Sequence, residues 1–162
     1  MEVRFANIFD LPGIVDIYNQ GIATKATADT KPFAVDDKLE WFYQHPKDMY
    51  PIYVMEHSNQ VVGWCSISPY RPGRMAVRQT AEISYYVDQN YHRLGIGTSL
   101  VNFTIDDCPR LGISNLLAVI LEWNVKSVQL VQKFGFEQWG YLPQVANFDG
   151  KECSQYIFGK KI

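Results

Sequence analysis

The sequence predicts an α/β domain with a mixed central β-sheet of about seven strands flanked by about four helices. Three observations predict it. Strand-like alternation and helix-like apolar stripes are interleaved along the chain in the order β-α-α-β-β-β-α-β-α-β-β. The run "SNLLAVIL" is almost continuously apolar, as a strand buried on both faces must be. The stretch "YPIYVMEHSNQVVGWCSISPY" carries two strands joined at Ser58-Asn59, a hairpin signal.

Each element has its own reason. "VRFANI" alternates as a short strand. Asp10 then offers an N-cap and Pro12 a first-turn residue, and Leu11, Ile14, Val15, Ile17 and Tyr18 form a helical stripe. "GIATKATADTKPFAV" has few apolar residues and no period, so it predicts a long loop, a length that is often functional. A second helix is predicted from about Asp36 to His45, stopped by Pro46. After the hairpin, "RPGRMAVRQ" is a basic loop. "TAEISYYV" is a strand with Ile83, Tyr85 and Val87 on one face and Glu82, Ser84 and Tyr86 on the other. From Gly97, the residues Leu100, Val101, Ile105 and Cys108 trace a helix face that Pro109 ends. A short helix from about Val125 to Phe134 is closed by Gly135, and two strands complete the chain.

Length and composition narrow the function classes. The 162 residues suffice for one domain, 1–162, and 47% hydrophobic content marks it as globular. A formal charge of −2 gives no reason to expect nucleic acid or an anionic membrane as partner. No apolar run approaches the ~18 residues that cross a bilayer, and "MEVRFANIFD" is charged where a signal peptide is apolar. Cys65, Cys108 and Cys153 are odd in number, widely spaced and without metal-type pairing. They predict reduced, mostly buried thiols in a cytoplasmic protein, with neither disulfide nor bound metal.

The chemistry gathers around "YYVDQNYHRLGIGTSL". Backbone N–H groups at a helix N-terminus converge on one point, where the helix dipole adds positive charge, and a phosphate is the natural guest. Gly95 and Gly97 leave those amides approachable; they also suit a helix start that needs small residues for packing. A dinucleotide fingerprint needs a third glycine where Leu100 stands. A nucleotide P-loop needs a lysine after the second glycine, and Thr98 follows it here.

The fragment "YYVDQNYHRLGIG" resembles the acetyl-CoA motif of GNAT-type N-acetyltransferases, a Gln/Arg-x-x-Gly-x-Gly/Ala loop between the fourth strand and the third helix. "NVKSVQLVQKFGF" is similar to that family's Asn-x-x-Ser and Gly-Phe pattern. "IYNQGI", the hairpin stretch and "TAEISYYV" are similar, in order and spacing, to the phosphinothricin and methionine sulfoximine acetyltransferase subgroup. The likeness runs from Val3 to about Lys160 and implies the GNAT fold.

That resemblance implies roles. The pyrophosphate of acetyl-CoA lies on the amides of Arg93, Leu94, Gly95, Ile96, Gly97 and Thr98. Its pantetheine arm pairs with the backbone of Tyr85, Tyr86 and Val87, and Asn124 bonds the same arm or simply caps its helix. His92 replaces the family's Arg or Gln and reads as an exposed loop histidine. Glu82, in the subgroup's "TVE-x-SVYV" position, is the implied general base, with an amide near Val87 as oxyanion site. Val131 stands seven residues after Asn124, where many members carry a proton-donating Tyr or His.

For the acceptor, Arg71, Arg74 and Arg78 are candidates to grip a carboxylate or phosphinate, or form a solvated charged loop. The segment from Thr27 to Phe33 is a candidate pocket wall. The resemblance implies acetyl transfer to the α-amine of a small amino acid or analogue, by direct attack in a ternary complex, in a homodimer. The alternatives are another amine acceptor (a polyamine, an aminoglycoside or a protein N-terminus) or a weakly active acyl-CoA-binding sensor.

Overall fold

Ser58 and Asn59 both adopt left-handed backbone (φ 50° and 63°), the conformation a two-residue hairpin turn demands. They join β2 (Ile52–His57) to β3 (Gln60–Pro69). The computed structural model describes the whole chain, Met1–Ile162. Around this hairpin a seven-stranded sheet is ordered β1-β2-β3-β4-β5-β7-β6, with β1 at Glu2–Phe5, β4 at Thr80–Val87, β5 at Asn115–Leu121, β6 at Glu137–Phe148 and β7 at Lys151–Lys161. All neighbours are antiparallel except β4 and β5. The mixed sheet and its four helices therefore match the expectation.

The helices are α1 (Leu11–Ala23), α2 (Leu39–Tyr43), α3 (Ile96–Asp107) and α4 (Val125–Lys133). Tyr53, Cys65, Ile67 and Ile83 pack with Leu100 and Val101 of α3 and Val131 of α4 in the larger core. On the opposite face Ile14 and Ile17 of α1 pack with Ile52, Val54 and Trp64. No helix is long and apolar enough to cross a membrane.

Local expectations differ from the structure in four places. Asp10 stands at the N-cap position of α1, but its side chain makes no cap bond there. It accepts instead from Arg4 (2.7 and 2.8 Å) and from the Asn7 amide (2.8 Å), because Asn7 and Asp10 form a capping box around a preceding 3-10 turn. α1 runs on through "GIA" to Ala23, so the loop begins only at Thr24. The second helical segment opens as a 3-10 turn, Asp36–Lys38, before α2. Val119 of β5 is 38% exposed rather than buried, for a reason that lies in the site.

Gly63, opposite Val87 on the neighbouring strand, sits beneath the start of α3. A Cβ there would lie 2.7 Å from the Ile96 Cγ2 and 3.2 Å from both the Leu100 Cδ1 and the Tyr86 carbonyl. Gly63→Ala is therefore expected to destabilise the fold by about 1–3 kcal/mol through overpacking. The check is a lower denaturant midpoint at constant m-value; an unchanged midpoint would mean that Ile96 simply rotates aside.

Candidate active site

β4 and β5 pair only from Thr80↔Asn115 to Glu82↔Leu117. Beyond Glu82 the two parallel strands part, and a groove of about 610 Å³ opens between them. Hydrogen-bond parity shows which backbone groups face it. Tyr70 N–H donates to the Thr80 carbonyl and Asp88 N–H to the Val62 carbonyl, so the even-numbered residues of β4 are bonded to β3. The odd-numbered residues, Tyr85 and Val87 among them, turn their peptide groups toward the gap. On the far side, Glu122 N–H donates to the Ser154 carbonyl, which leaves the odd residues of β5, including Val119, facing the same gap. Exposure of Val119 follows from the parting of the strands.

The groove ends at the N-terminus of α3. Gly95 occupies its N-cap in the left-handed region (φ 79°), as does Arg93 before it (φ 67°). None of the amides of Arg93, Leu94, Gly95, Ile96, Gly97 and Thr98 donates to a protein acceptor; the first committed one is Ser99, bonded to the Gly95 carbonyl. Six free N–H groups at a helix start form an anion cradle. Of these residues only Leu94 stays out of the groove lining, its side chain 58% exposed.

The two glycines serve different ends. A Cβ on Gly95 would meet nothing within 4 Å, so its backbone angle is what requires glycine. A Cβ on Gly97 would lie 3.2 Å from the Leu130 Cδ2 and 3.7 Å from the Val87 Cγ2. Gly97 thus lets α3 approach α4, and both readings of the pair hold, one for each residue.

Asn124 lines the groove and caps α4, its Oδ1 accepting from the Ser127 amide at 3.3 Å. The cap uses only the oxygen and leaves the Nδ2 protons for a ligand. His92 is exposed, yet its Nε2 lies 3.0 Å from the Val87 carbonyl. A carbonyl only accepts, so Nε2 carries the proton and His92 closes off one of the gap-facing acceptors. Val87 N–H stays open beside it. Tyr86 corrects the expectation of three pairing residues. As an even-numbered residue it commits its backbone to β3, and its ring reaches the opposite face of the sheet, 4.8 Å from the Trp64 ring. Val131 is fully buried in the main core, far from any proton-transfer role. Tyr85 supplies the phenol on that side, its hydroxyl donating to the Ser127 carbonyl at 3.3 Å.

Glu82, Ser84 and Tyr86 share the other face of β4, as the alternation predicts. Glu82 is half-buried, its carboxylate takes no hydrogen bond from the protein, and burial pushes its pKa above the usual carboxylate range. Cross-strand from it stands Ser68, and Ser66 stands opposite Ser84. These serines floor a second cavity of about 110 Å³, walled by Tyr18, Trp41, Trp64 and Tyr86 and bordered by Lys38. Ser84 and Tyr86 line both cavities, so the two meet at β4. His45 organises one hydroxyl of the floor. Its Nδ1 lies 2.6 Å from the Trp41 carbonyl, which fixes the proton there, and its Nε2 lies 3.1 Å from the Ser68 Oγ. Burial lowers the His45 pKa, opposed by the Trp41 bond; the neutral ring accepts the Ser68 proton and turns the serine's lone pairs outward.

The opened β4–β5 pair thus leads to a free-amide helix start suited to an anionic group, with a carboxylate one strand position from the opening. The model of the acetyltransferase (GNAT) family matches residues 17–136. The chain belongs to this family. A Bacillus subtilis (strain 168) protein provisionally named as a phosphinothricin acetyltransferase is 38% identical across 100% of this chain and 99% of its own. An L-methionine sulfoximine/L-methionine sulfone acetyltransferase of Pseudomonas aeruginosa is 32% identical over 93% of this chain and 88% of its own. The crystal structure of a GNAT superfamily phosphinothricin acetyltransferase from Sinorhizobium meliloti in complex with AcCoA matches with a TM-score of 0.92 at 25% identity, covering 99% of this chain and 88% of that one.

The protein is therefore an acetyl-CoA-dependent N-acetyltransferase with a GNAT fold. In this acetyltransferase the three loop arginines remain apart from both cavities: Arg71, Arg74 and Arg78 are exposed, line neither and make no ion pair within the chain. The segment from Thr27 to Phe33 is fastened over α1. The Tyr18 hydroxyl bonds Thr27 and Asp29, and the Asn19 side chain clamps both the N–H and the carbonyl of Phe33 at 2.9 Å. Sequence reasoning missed Lys38, Trp41, His45, Trp64 and Ser68. The available signal was the alternation of β3, which sets Trp64, Ser66 and Ser68 on the face that Glu82 shares.

Proposed function

We propose that the enzyme acetylates the α-amine of a small amino acid or analogue of the methionine sulfone, methionine sulfoximine or phosphinothricin type, by direct attack in a ternary complex. The meeting of two cavities at Ser84 and Tyr86, on the strand that carries Glu82, carries this reading. The larger groove suits the acetyl donor. Free amides at residues 93–98 hold its pyrophosphate, while Tyr85, Val87 and the Asn124 amide hold the pantetheine arm. The smaller cavity suits a small acceptor, and the activities for which the relatives are named support that class.

In this scheme Glu82 takes a proton from the acceptor's ammonium, directly or through one water, and frees its lone pair. Val87 N–H donates to the carbonyl oxygen as charge develops there. A thiolate with a conjugate-acid pKa of about 8.5 is a fair leaving group near neutral pH, and the Tyr85 hydroxyl stands on its side of the groove. Direct attack is favoured because no thiol is available to carry the acetyl group. Cys65, Cys108 and Cys153 are all buried, and burial pushes Cys65 and Cys108 up to about 12. Such thiols suit the reduced, cytoplasmic setting that the reading includes. A homodimer belongs to it as well, with the exposed Trp139, Tyr141, Leu142 and Val145 of edge strand β6 as the candidate surface.

Thiol release from acetyl-CoA against methionine sulfone, methionine sulfoximine, phosphinothricin, a polyamine, an aminoglycoside and a peptide N-terminus tests the proposal. Turnover of the amino acids, with intersecting initial-velocity lines, is the expected result. Parallel lines would remove the ternary complex. Turnover confined to another amine would change the acceptor class, and acetyl-CoA binding without any turnover would favour the sensor.

A further inference from the structure

Lys38 is placed unlike an ordinary surface lysine. It is half-buried, and its ammonium lies 3.8 Å from the Phe33 ring centroid, 5.1 Å from that of Tyr18 and 6.0 Å from that of Trp41. No carboxylate approaches within 4.0 Å; the ion pairs of the chain all involve Arg4 or Arg110. Three rings therefore hold a positive charge at the edge of the smaller cavity without neutralising it. Phe33 is itself fixed by the Asn19 clamp, so the arrangement is braced by α1 rather than left to a mobile side chain.

The cavity also carries polar groups of both kinds. Ser68, cross-strand from Glu82, turns its lone pairs outward because its proton is donated to His45, while Glu82 itself stands beside the cavity rather than in its lining. Lys38, Ser66 and Ser84 line the same cavity, and the two serine hydroxyls bond no protein group and are free to donate.

We propose that Lys38 is the specificity-determining cation for the acceptor, pairing with a negatively charged or strongly dipolar oxygen group while the amine faces Glu82. This deepens the proposed function and rests on it. It assigns to an aromatic-held lysine the task that sequence reasoning gave to Arg71, Arg74 and Arg78. It also predicts discrimination against polyamines, whose second ammonium would be driven against the Lys38 charge.

The test is steady-state kinetics of wild type, Lys38→Met and Lys38→Arg with four acceptors: phosphinothricin, methionine sulfone, methionine sulfone amide and methionine. Removing one charge-assisted contact is expected to raise acceptor KM about 10- to 100-fold. kcat should move much less, the acetyl-CoA dissociation constant should stay put, and Lys38→Arg should recover most of the loss. A Met penalty that vanishes with the amide assigns Lys38 to the α-carboxylate. A penalty that vanishes with methionine assigns it to the side-chain oxygens. Equal KM for wild type and Lys38→Met on every acceptor overturns the proposal. Failure of the amino-acid reading looks different: wild type itself then turns over none of the four, and Lys38 loses its partner with it.

Discussion

Glu82→Gln is expected to lower kcat by roughly 10²–10⁴-fold, the usual contribution of a positioned general base. Acetyl-CoA affinity should be unchanged, because Glu82 lies on the acceptor face of β4 and outside the lining of the donor groove. The pH dependence is the sharper readout. Burial raises the Glu82 pKa, so wild-type activity should climb as pH rises through a value above the ordinary carboxylate range, and the Gln variant should lack that limb. Retention of the limb in the variant removes Glu82 from the mechanism. The same burial fixes a stability effect of opposite sign. A carboxyl whose folded pKa exceeds its unfolded pKa favours folding most when protonated, and that contribution is lost as pH rises through the folded value. Glutamine carries no such charge. Glu82→Gln should therefore melt above wild type at pH 8, and the difference should shrink toward pH 4. A less active but more stable variant is the expected pairing for a group held in place for chemistry.

The features legible in the sequence are those that a few adjacent residues decide. Ser58-Asn59 forced a hairpin, Pro109 follows the end of α3, Gly135 closes α4 at φ 76°, and the alternation of β4 separated Glu82 from Tyr85. What stayed hidden depends on partners far along the chain. "SNLLAVIL" reads the same whether or not β4 continues beside it, so neither the parting after Glu82 nor the exposure of Val119 was visible. Asp10 looked like a helix cap because Asn7 and Arg4 were not known to be its partners. Lys38 gave no signal because the rings that hold it come from positions 18, 33 and 41, on two helices and a loop. His45 and Ser68 meet across 23 residues. The loop arginines drew attention by charge, and whether a loop lies against a cavity is not written in its charge: Arg71, Arg74 and Arg78 are exposed and line neither cavity.

Gly97→Leu is the second large effect, and it separates the two jobs of the glycine pair. The added Cβ would crowd the Leu130 Cδ2 at 3.2 Å, and the rest of the leucine must either wedge α3 away from α4 or stand in the groove that Gly97 lines. The first outcome carries the Ile96, Gly97 and Thr98 amides off the line of the groove, and the second fills the space the donor needs. Each hydrogen bond from a free amide to a charged oxygen contributes about 1.5–3 kcal/mol. Losing one or two of them raises the acetyl-CoA dissociation constant by roughly 10²-fold or more. Melting of the free enzyme should fall as well, since the wedge exists without any ligand. Gly95→Ala provides the contrast. Its Cβ meets no atom, but alanine at φ 79° is disfavoured by about 1–2 kcal/mol. That penalty should weaken binding modestly, by shifting the loop out of its cradle, and leave the packing of α3 on α4 intact. Calorimetric titration with acetyl-CoA and thermal melts of the free enzymes distinguish the two. If Gly97→Leu keeps wild-type affinity, the helix start does not hold the pyrophosphate. If Gly95→Ala destabilises as much as Gly97→Leu, the division of labour between the two glycines is wrong.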